Sequence, residues 1–247
     1  MSGGVGGNST TGAAPSVALK LERAYWEHHE DYDWSSDATK RNVFARIPDL
    51  AGDILELCVG GGAFTRAIPD GYASYTGIDL SQSLLRALRE RLPRVAAVHG
   101  DAQDLPFRDG AFETIVVFSG LHHLPQYRHA IAECHRVLRP GGHFFCFEPN
   151  DRAWYRAPMR FLRERKVVRD IIRIYSEDEI YLDPRTVAGI LEAGGFGEIR
   201  TTYLTPRFRP GFLNAATLPF AWLMYAAGGM GSSIGTQSYF AMSGRRR

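Results

Sequence analysis

From Asp53 onward, short apolar runs rich in β-branched residues alternate with segments spaced for helices, and that alternation leaves few folds open. A strand followed by a helix and another strand returns to the same sheet as a parallel neighbour, with the helix packed across one face. The runs are Asp53 to Val59, Tyr75 to Ile78, Val95 to His99, Phe112 to Phe118, His143 to Phe147, Glu198 to Tyr203 and Gln237 to Met242. They predict an α/β chain with a doubly wound, seven-stranded, mostly parallel sheet and helices on both faces.

Punctuation between the runs agrees with this layout. Ser81 to Leu92 opens on a capping Ser, carries Leu84, Leu85, Leu88 and Leu92 at helical spacing, and ends before Pro93. Tyr127 to Leu138 repeats the pattern, and Arg139-Pro140-Gly141-Gly142 then predicts a turn into the next strand. Pro184 to Ala193, with Gly194-Gly195 behind it, predicts a last helix. A chain of 247 residues, 45% hydrophobic and 23% charged, can bury one large core, which excludes a collagen or a disulfide-held miniprotein. The formal charge of +2 leaves no global reason to bind nucleic acid. Cys58, Cys134 and Cys146 form no C-x-x-C pair, and Met1 to Pro15 lacks the basic start and apolar stretch of a signal peptide, so a cytoplasmic setting is expected.

Chemistry gathers where Asp53-Ile54-Leu55-Glu56-Leu57-Cys58-Val59 runs into Gly60-Gly61-Gly62 at the expected opening of a helix. Glycines there let backbone N–H groups approach a ligand and admit left-handed backbone conformations. A plain strand-to-helix turn would use the same residues, so the acids that follow carry the distinction. Asp79 ends the second strand, where a carboxylate can accept both hydroxyls of a ribose. Asp101-Ala102 follows the third, where an acid can accept a hydrogen bond from an adenine amino group. A dinucleotide loop would need glycine where Thr65 stands, and Glu56 ahead of the glycines suits an amine, or a bond to the loop, better than a diphosphate.

With those residues in view, roughly Ala51 to Pro149, and a weaker echo in Leu191 to Tyr203, resembles the class I S-adenosylmethionine-dependent methyltransferases, in particular their small-molecule group. Further matches are Leu105-Pro106-Phe107, Leu121-His122-His123-Leu124 and Val137-Leu138-Arg139-Pro140-Gly141-Gly142. The resemblance implies a Rossmann-like fold, S-adenosylmethionine as methyl donor and S-adenosylhomocysteine as product. It implies cofactor-binding roles for Glu56, Cys58, Gly60, Gly62, Asp79, Leu80, Asp101, Ala102 and Ser119, and for Tyr25 from an N-terminal segment folding over the cofactor as a lid. There is one departure: Cys58 stands where the family's E-x-G-x-G-x-G has its first glycine, and a positive φ there would cost about 1 to 2 kcal/mol. The implied organisation is a disordered leader over 1–16 and one domain over 17–247. Within it lie the lid at 17–50, the cofactor-binding core at 51–150, an insertion at 151–183, and the last helix and strands at 184–247 with a second insertion at 205–236.

Methyl transfer from a sulfonium asks mainly for alignment and exclusion of water, and a base helps where the acceptor is a hydroxyl. His122 and His123, just past Ser119-Gly120 on the ligand-binding edge, are catalytic candidates, with bracing of the loop as the plain alternative for one of them. His28, beside His29 in the lid segment, is a third, against a solvated helix face. Adjacent histidines diverge and no H-x-x-x-H spacing occurs, so no metal site is expected. Glu148, at a strand end, could orient substrate or pair with an Arg.

The two insertions carry the expectation about substrate. Eight Arg and Lys residues between Arg152 and Arg173 punctuate an apolar segment, which reads as a solvated cap face, an anionic-membrane surface or a contact for a phosphate-bearing substrate. Pro210 to Gly244 has no charged residue, and its apolar centre, Ala215 to Ala227, falls short of the roughly 20 residues that span a bilayer. It suits the wall of an apolar pocket, a dimer face or peripheral membrane contact. The reading is therefore a methyltransferase acting on O, C or N of a mid-sized hydrophobic molecule. The alternatives are a non-methylating reaction in the same pocket (cyclisation, isomerisation or decarboxylation) and a noncatalytic membrane-binding protein.

Overall fold

The computed structural model describes residues 36–47, 50–152, 180, 182–204 and 239–247. Seven strands form one sheet: β1 (Gly52–Leu57), β2 (Tyr72–Asp79), β3 (Ala96–His99), β4 (Phe112–Phe118), β5 (Leu138–Pro149), β6 (Phe196–Leu204) and β7 (Tyr239–Arg246). Their order across the sheet is β3-β2-β1-β4-β5-β7-β6. β1 to β5 are parallel, while β7 runs antiparallel between β5 and β6.

Successive strand residues point to opposite faces, so each strand feeds two cores. Leu55, Leu57, Ile115, Val117, Phe144 and Cys146 pack on one face with Ile131 and Cys134 of α3 (Tyr127–Val137) and Val187 and Leu191 of α4 (Pro184–Ala193). Ile54, Val116, Phe118, Phe145 and Phe147 pack on the other with Val43 and Phe44 of α1 (Asp37–Phe44) and Leu85 and Leu88 of α2 (Gln82–Arg91). The caps read from the sequence are in place: Ser81 Oγ accepts from the Leu84 amide at 3.3 Å, and α4 begins on Pro184 and ends at Gly194. α1 lies before the first apolar run; its signal is Ser36, whose side chain caps the Thr39 amide.

Three local expectations change. The helix expected after the glycines is one 3-10 turn, Thr65–Ala67, because Pro69 disfavours helical backbone at Ile68, which is extended at ψ 131. The Arg139-to-Gly142 turn lies inside β5: Leu138 pairs with Phe112 and His143 with Thr114, so four residues bulge out of the ladder, with Gly141 at φ 78. β7 runs on past Met242 to Arg246, since its partners on both sides hold the ladder to the end and the Arg246 guanidinium donates to the Leu138 and Arg136 carbonyls. The lid segment up to 35 and most of both insertions, 153–179 and 205–238, lie outside the described residues, and so do Tyr25 and His28.

Candidate active site

The strand order reverses between β1 and β4, and the crevice beyond the C-terminal ends of those strands is where an open parallel sheet admits a ligand. Cys58 and Ser119, the residues that follow β1 and β4, both have positive φ, 54 and 53, an uncommon state for residues with a Cβ. Cys58 lies close against Gly120, the residue after Ser119: a Cβ on Gly120 would lie 2.8 Å from Cys58 Cβ. Glycine at 120 is what lets the two strand ends approach. Gly60 and Gly62 then turn the chain away at φ 54 and 80, and the space where a Gly62 side chain would point is taken by Leu88 and Leu92.

Asp79 closes the turn from the β2 side. Its carboxylate accepts from the Gly60 amide at 2.8 Å and the Ser81 amide at 2.9 Å, which ties the glycine turn to the start of α2. Burial raises its carboxyl, against the pull of the two amides and the charge of His123. Leu80 follows, with its carbonyl 3.1 Å from His99 Nε2. Glu56 has a different setting: Oε2 accepts from Thr65 Oγ1 at 2.6 Å and the Tyr75 hydroxyl at 2.5 Å, and burial pushes the carboxyl up to about 7.

Asp101 sits on the loop after β3 and accepts from the amide and the side-chain amide of Gln103, at 2.8 and 3.1 Å. The other end of Gln103 accepts from the Gln126 amide at 2.7 Å, so one buried side chain joins the Asp101 loop to the start of α3. Gln103 is absent from the sequence-derived candidates; a polar residue two after an acid on a strand-end loop is the only signal it leaves. Ala102 is buried beside it. Farther along, Arg136 clamps the loop, donating to the Leu105 and Phe107 carbonyls, Asp109 and Glu133, and this holds the Glu133 carboxyl below its usual range.

The β4 and β5 ends build the opposite wall. Glu148 is fully buried, and of the two roles open to it, orienting substrate or pairing with an Arg, the second is taken among the described residues by a turn: Oε1 accepts from the Gly120 and Leu121 amides at 2.9 and 2.8 Å, and Oε2 lies 2.7 Å from His122 Nδ1. Burial pushes this carboxyl up to about 7 against those donors. His122 and His123 belong to the 3-10 turn Leu121–His123, with ring centroids 4.0 Å apart; His122 is buried and His123 partly exposed. The Ile180 amide donates to the His122 carbonyl at 2.7 Å. Ser119 Oγ is buried with no hydrogen-bond partner among the described residues. No group of three or more His, Cys, Asp or Glu among the described residues is arranged to hold a metal, and no helix among them is long and apolar enough to cross a membrane.

Residues 55–146 match the family model described as a methyltransferase domain. A phthiotriol/phenolphthiotriol dimycocerosates methyltransferase of Mycobacterium tuberculosis is 39% identical over 174 residues, covering 60% of this chain and 64% of its own. A demethylmenaquinone methyltransferase of Staphylococcus aureus is 39% identical over 100 residues, 38% of this chain and 42% of its own. The chain thus spans less than two thirds of the length of these curated relatives. Among solved structures, a possible histamine N-methyltransferase from Thermotoga maritima superimposes with a TM-score of 0.61 at 15% identity, over 94% of this chain and 96% of that one, which is a likeness of fold. The matched segment runs through β1 to β5 and the crevice at their ends, so the likeness to methyltransferases lies where the candidate site is built.

Proposed function

We propose that the protein transfers a methyl group from S-adenosylmethionine to an oxygen, carbon or nitrogen of a mid-sized apolar molecule, releasing S-adenosylhomocysteine. The observation that carries this reading is that Asp79, Asp101 and Ser119, whose buried Oγ has no hydrogen-bond partner among the described residues, stand at the C-terminal ends of β2, β3 and β4, on the edge that carries the glycine turn. The residues fit an adenosyl sulfonium. Asp79 would take the ribose hydroxyls, Asp101 the adenine amino group, and Ser119 Oγ with the strand-end backbone at Cys58 the methionine portion. Gly60, Gly62, Leu80 and Ala102 would line the pocket. Glu56, bonded to Thr65 and Tyr75, would support the turn from below. Tyr25 and His28 would close over the ligand from the N-terminal segment.

The sulfonium supplies an electrophilic methyl group when bound, so the chain's own residues must orient the acceptor, exclude water and receive its proton. An apolar acceptor is supported by the lipid and quinone names of the relatives and by the uncharged run Pro210 to Gly244. That run, with the basic segment before it, would also suit an acceptor drawn from a lipid surface.

The test is calorimetric titration of ligand-free protein with S-adenosylmethionine and S-adenosylhomocysteine, followed by turnover with long-chain diols and naphthohydroquinones. Methylated product in one-to-one ratio with S-adenosylhomocysteine is expected. Failure of a folded sample to bind either ligand would remove the methyl-transfer reading. Product formed without S-adenosylhomocysteine would move it to the non-methylating reaction.

A further inference from the structure

The two adjacent histidines have opposite surroundings. His122 is buried, its ring nitrogen Nδ1 lies 2.7 Å from Glu148, and the Ile180 amide grips its carbonyl. Glu148 is in turn fixed by the Gly120 and Leu121 amides, so the carboxylate closes the start of the histidine turn from below. His123 is partly exposed, its ring 4.0 Å from that of His122. It ends the turn that follows β4, on the edge where β1 and β4 open the crevice, near enough to Asp79 and Glu148 for its charge to act on both carboxyls.

We propose, building on the methyl-transfer reading, that the histidines divide the work: His123 is the base for a hydroxyl acceptor, and His122 with Glu148 is a positioning pair that holds His123 over the crevice. A buried His–carboxyl pair shares a single proton and stays neutral as a unit; adding a second proton or removing the first would leave a net charge out of water. Such a pair cannot take up the acceptor's proton, whereas a partly exposed imidazole can. As the acceptor oxygen forms its bond to the methyl carbon, the S–CH3 bond breaks with its electron pair passing to sulfur, and the acceptor's proton passes to the His123 imidazole. The product is then a neutral ether beside a neutral thioether and an imidazolium whose charge Asp79 and Glu148 favour. Asp79 from β2, Glu148 from β5 and His122 from its own turn are among the groups that interact with His123.

The proposal is tested without knowing the acceptor, by following the ring nitrogens of 15N-histidine-labelled protein from pH 5.5 to 9 by nuclear magnetic resonance. S-adenosylhomocysteine and S-adenosylmethionine serve in turn as ligands, with His122→Asn and His123→Asn for assignment. The His123 ring should titrate in one step whose midpoint falls by about half a unit to one unit when the neutral thioether is replaced by the sulfonium, the shift expected for a unit charge a few ångströms away. The His122 ring should keep Nδ1–H throughout and begin to exchange tautomers only in Glu148→Gln, and in that variant the response of the His123 midpoint to the exchange of ligands should shrink, which a brace that does not position His123 would not give. Titration of His122 within this range, or indifference of His123 to the exchange of ligands, would overturn the division of roles while leaving methyl transfer intact. Failure to bind either ligand in the accompanying calorimetry would remove both.

Discussion

Glu56, near the end of β1, and Glu148, near the end of β5, are the same chemical feature in the two halves of the crevice, and they have different uses. Both are buried, and burial raises both carboxyls to about 7. Around Glu56 the partners are the hydroxyls of Thr65 and Tyr75, which rotate and serve as donors or acceptors, so the site tolerates a protonated or an ionised acid. Around Glu148 they are the Gly120 and Leu121 amides, which only donate, and an imidazole that can carry the proton instead. The comparison teaches that burial alone does not give a carboxyl a task. Fixed donors do: they aim Glu148 at the turn that carries the histidines, while Glu56 joins β1, β2 and the glycine turn into one packed unit.

The largest effect expected is on the β1–β2 half. Asp79→Ala removes an acceptor that also holds the Gly60 and Ser81 amides, and loss of charge-assisted hydrogen bonds of this kind should weaken S-adenosylhomocysteine binding on the order of 100-fold or more in calorimetry. Wild-type affinity in that variant would place the nucleoside elsewhere.

Truncating the two buried acids comes next and breaks the comparison directly. Glu148→Ala leaves two amides and a buried imidazole without their acceptor and should cost about 3 to 5 kcal/mol in urea unfolding. Glu56→Ala leaves two hydroxyls that can turn toward other acceptors and should cost roughly 1 to 3 kcal/mol. Equal losses would mean that the character of the donors is immaterial.

A third prediction uses pH. The folded-state carboxyl of Glu56 titrates at about 7, above its ordinary 4.5, so the folded protein holds this proton more tightly than the unfolded chain. Its contribution is therefore full below the ordinary carboxyl range and declines as pH rises toward about 7. In Glu56→Gln the fall in unfolding free energy between pH 5 and 7.5 should be smaller than in the wild type, by on the order of 2 to 3 kcal/mol. The smallest effect concerns Cys58. Cys58→Val, a β-branched residue at φ 54, should lower stability by about 1 to 2 kcal/mol, whereas Cys58→Gly should leave the melting temperature within about 3 °C, relief of strain offsetting chain entropy. A destabilising glycine would assign the Cys58 side chain a packing role larger than its strain.

Much of the sheet was legible because its information is local. Alternating faces of β1, β4 and β5, the Ser81 cap and the Pro184 start are written within a few residues of where they act, and the structure has them there. The glycine turn and Asp79 were legible as a pair because a parallel sheet brings successive strand ends to one edge. Less legible was anything that depends on partners far along the chain. Arg245 and Arg246 continue β7 because His143 and Phe196 pair with them across the sheet, and no window of sequence around Met242 announces it. The four-residue bulge inside β5 is likewise decided by Phe112 and Thr114 on the neighbouring strand.

The same division holds in the site. The sequence by itself determined which residue types stand at the strand ends, since hydrophobic periodicity and turn chemistry act over a turn of helix or a pair of strand residues. Only the tertiary structure decided that Glu148 and His122, 26 positions apart, form one unit, that Gln103 ties Asp101 to α3, and that Cys58 packs against Gly120. Those contacts arise because burial removes water as a partner, and each buried polar group must then find whichever donor or acceptor the packing of distant strands has brought within reach.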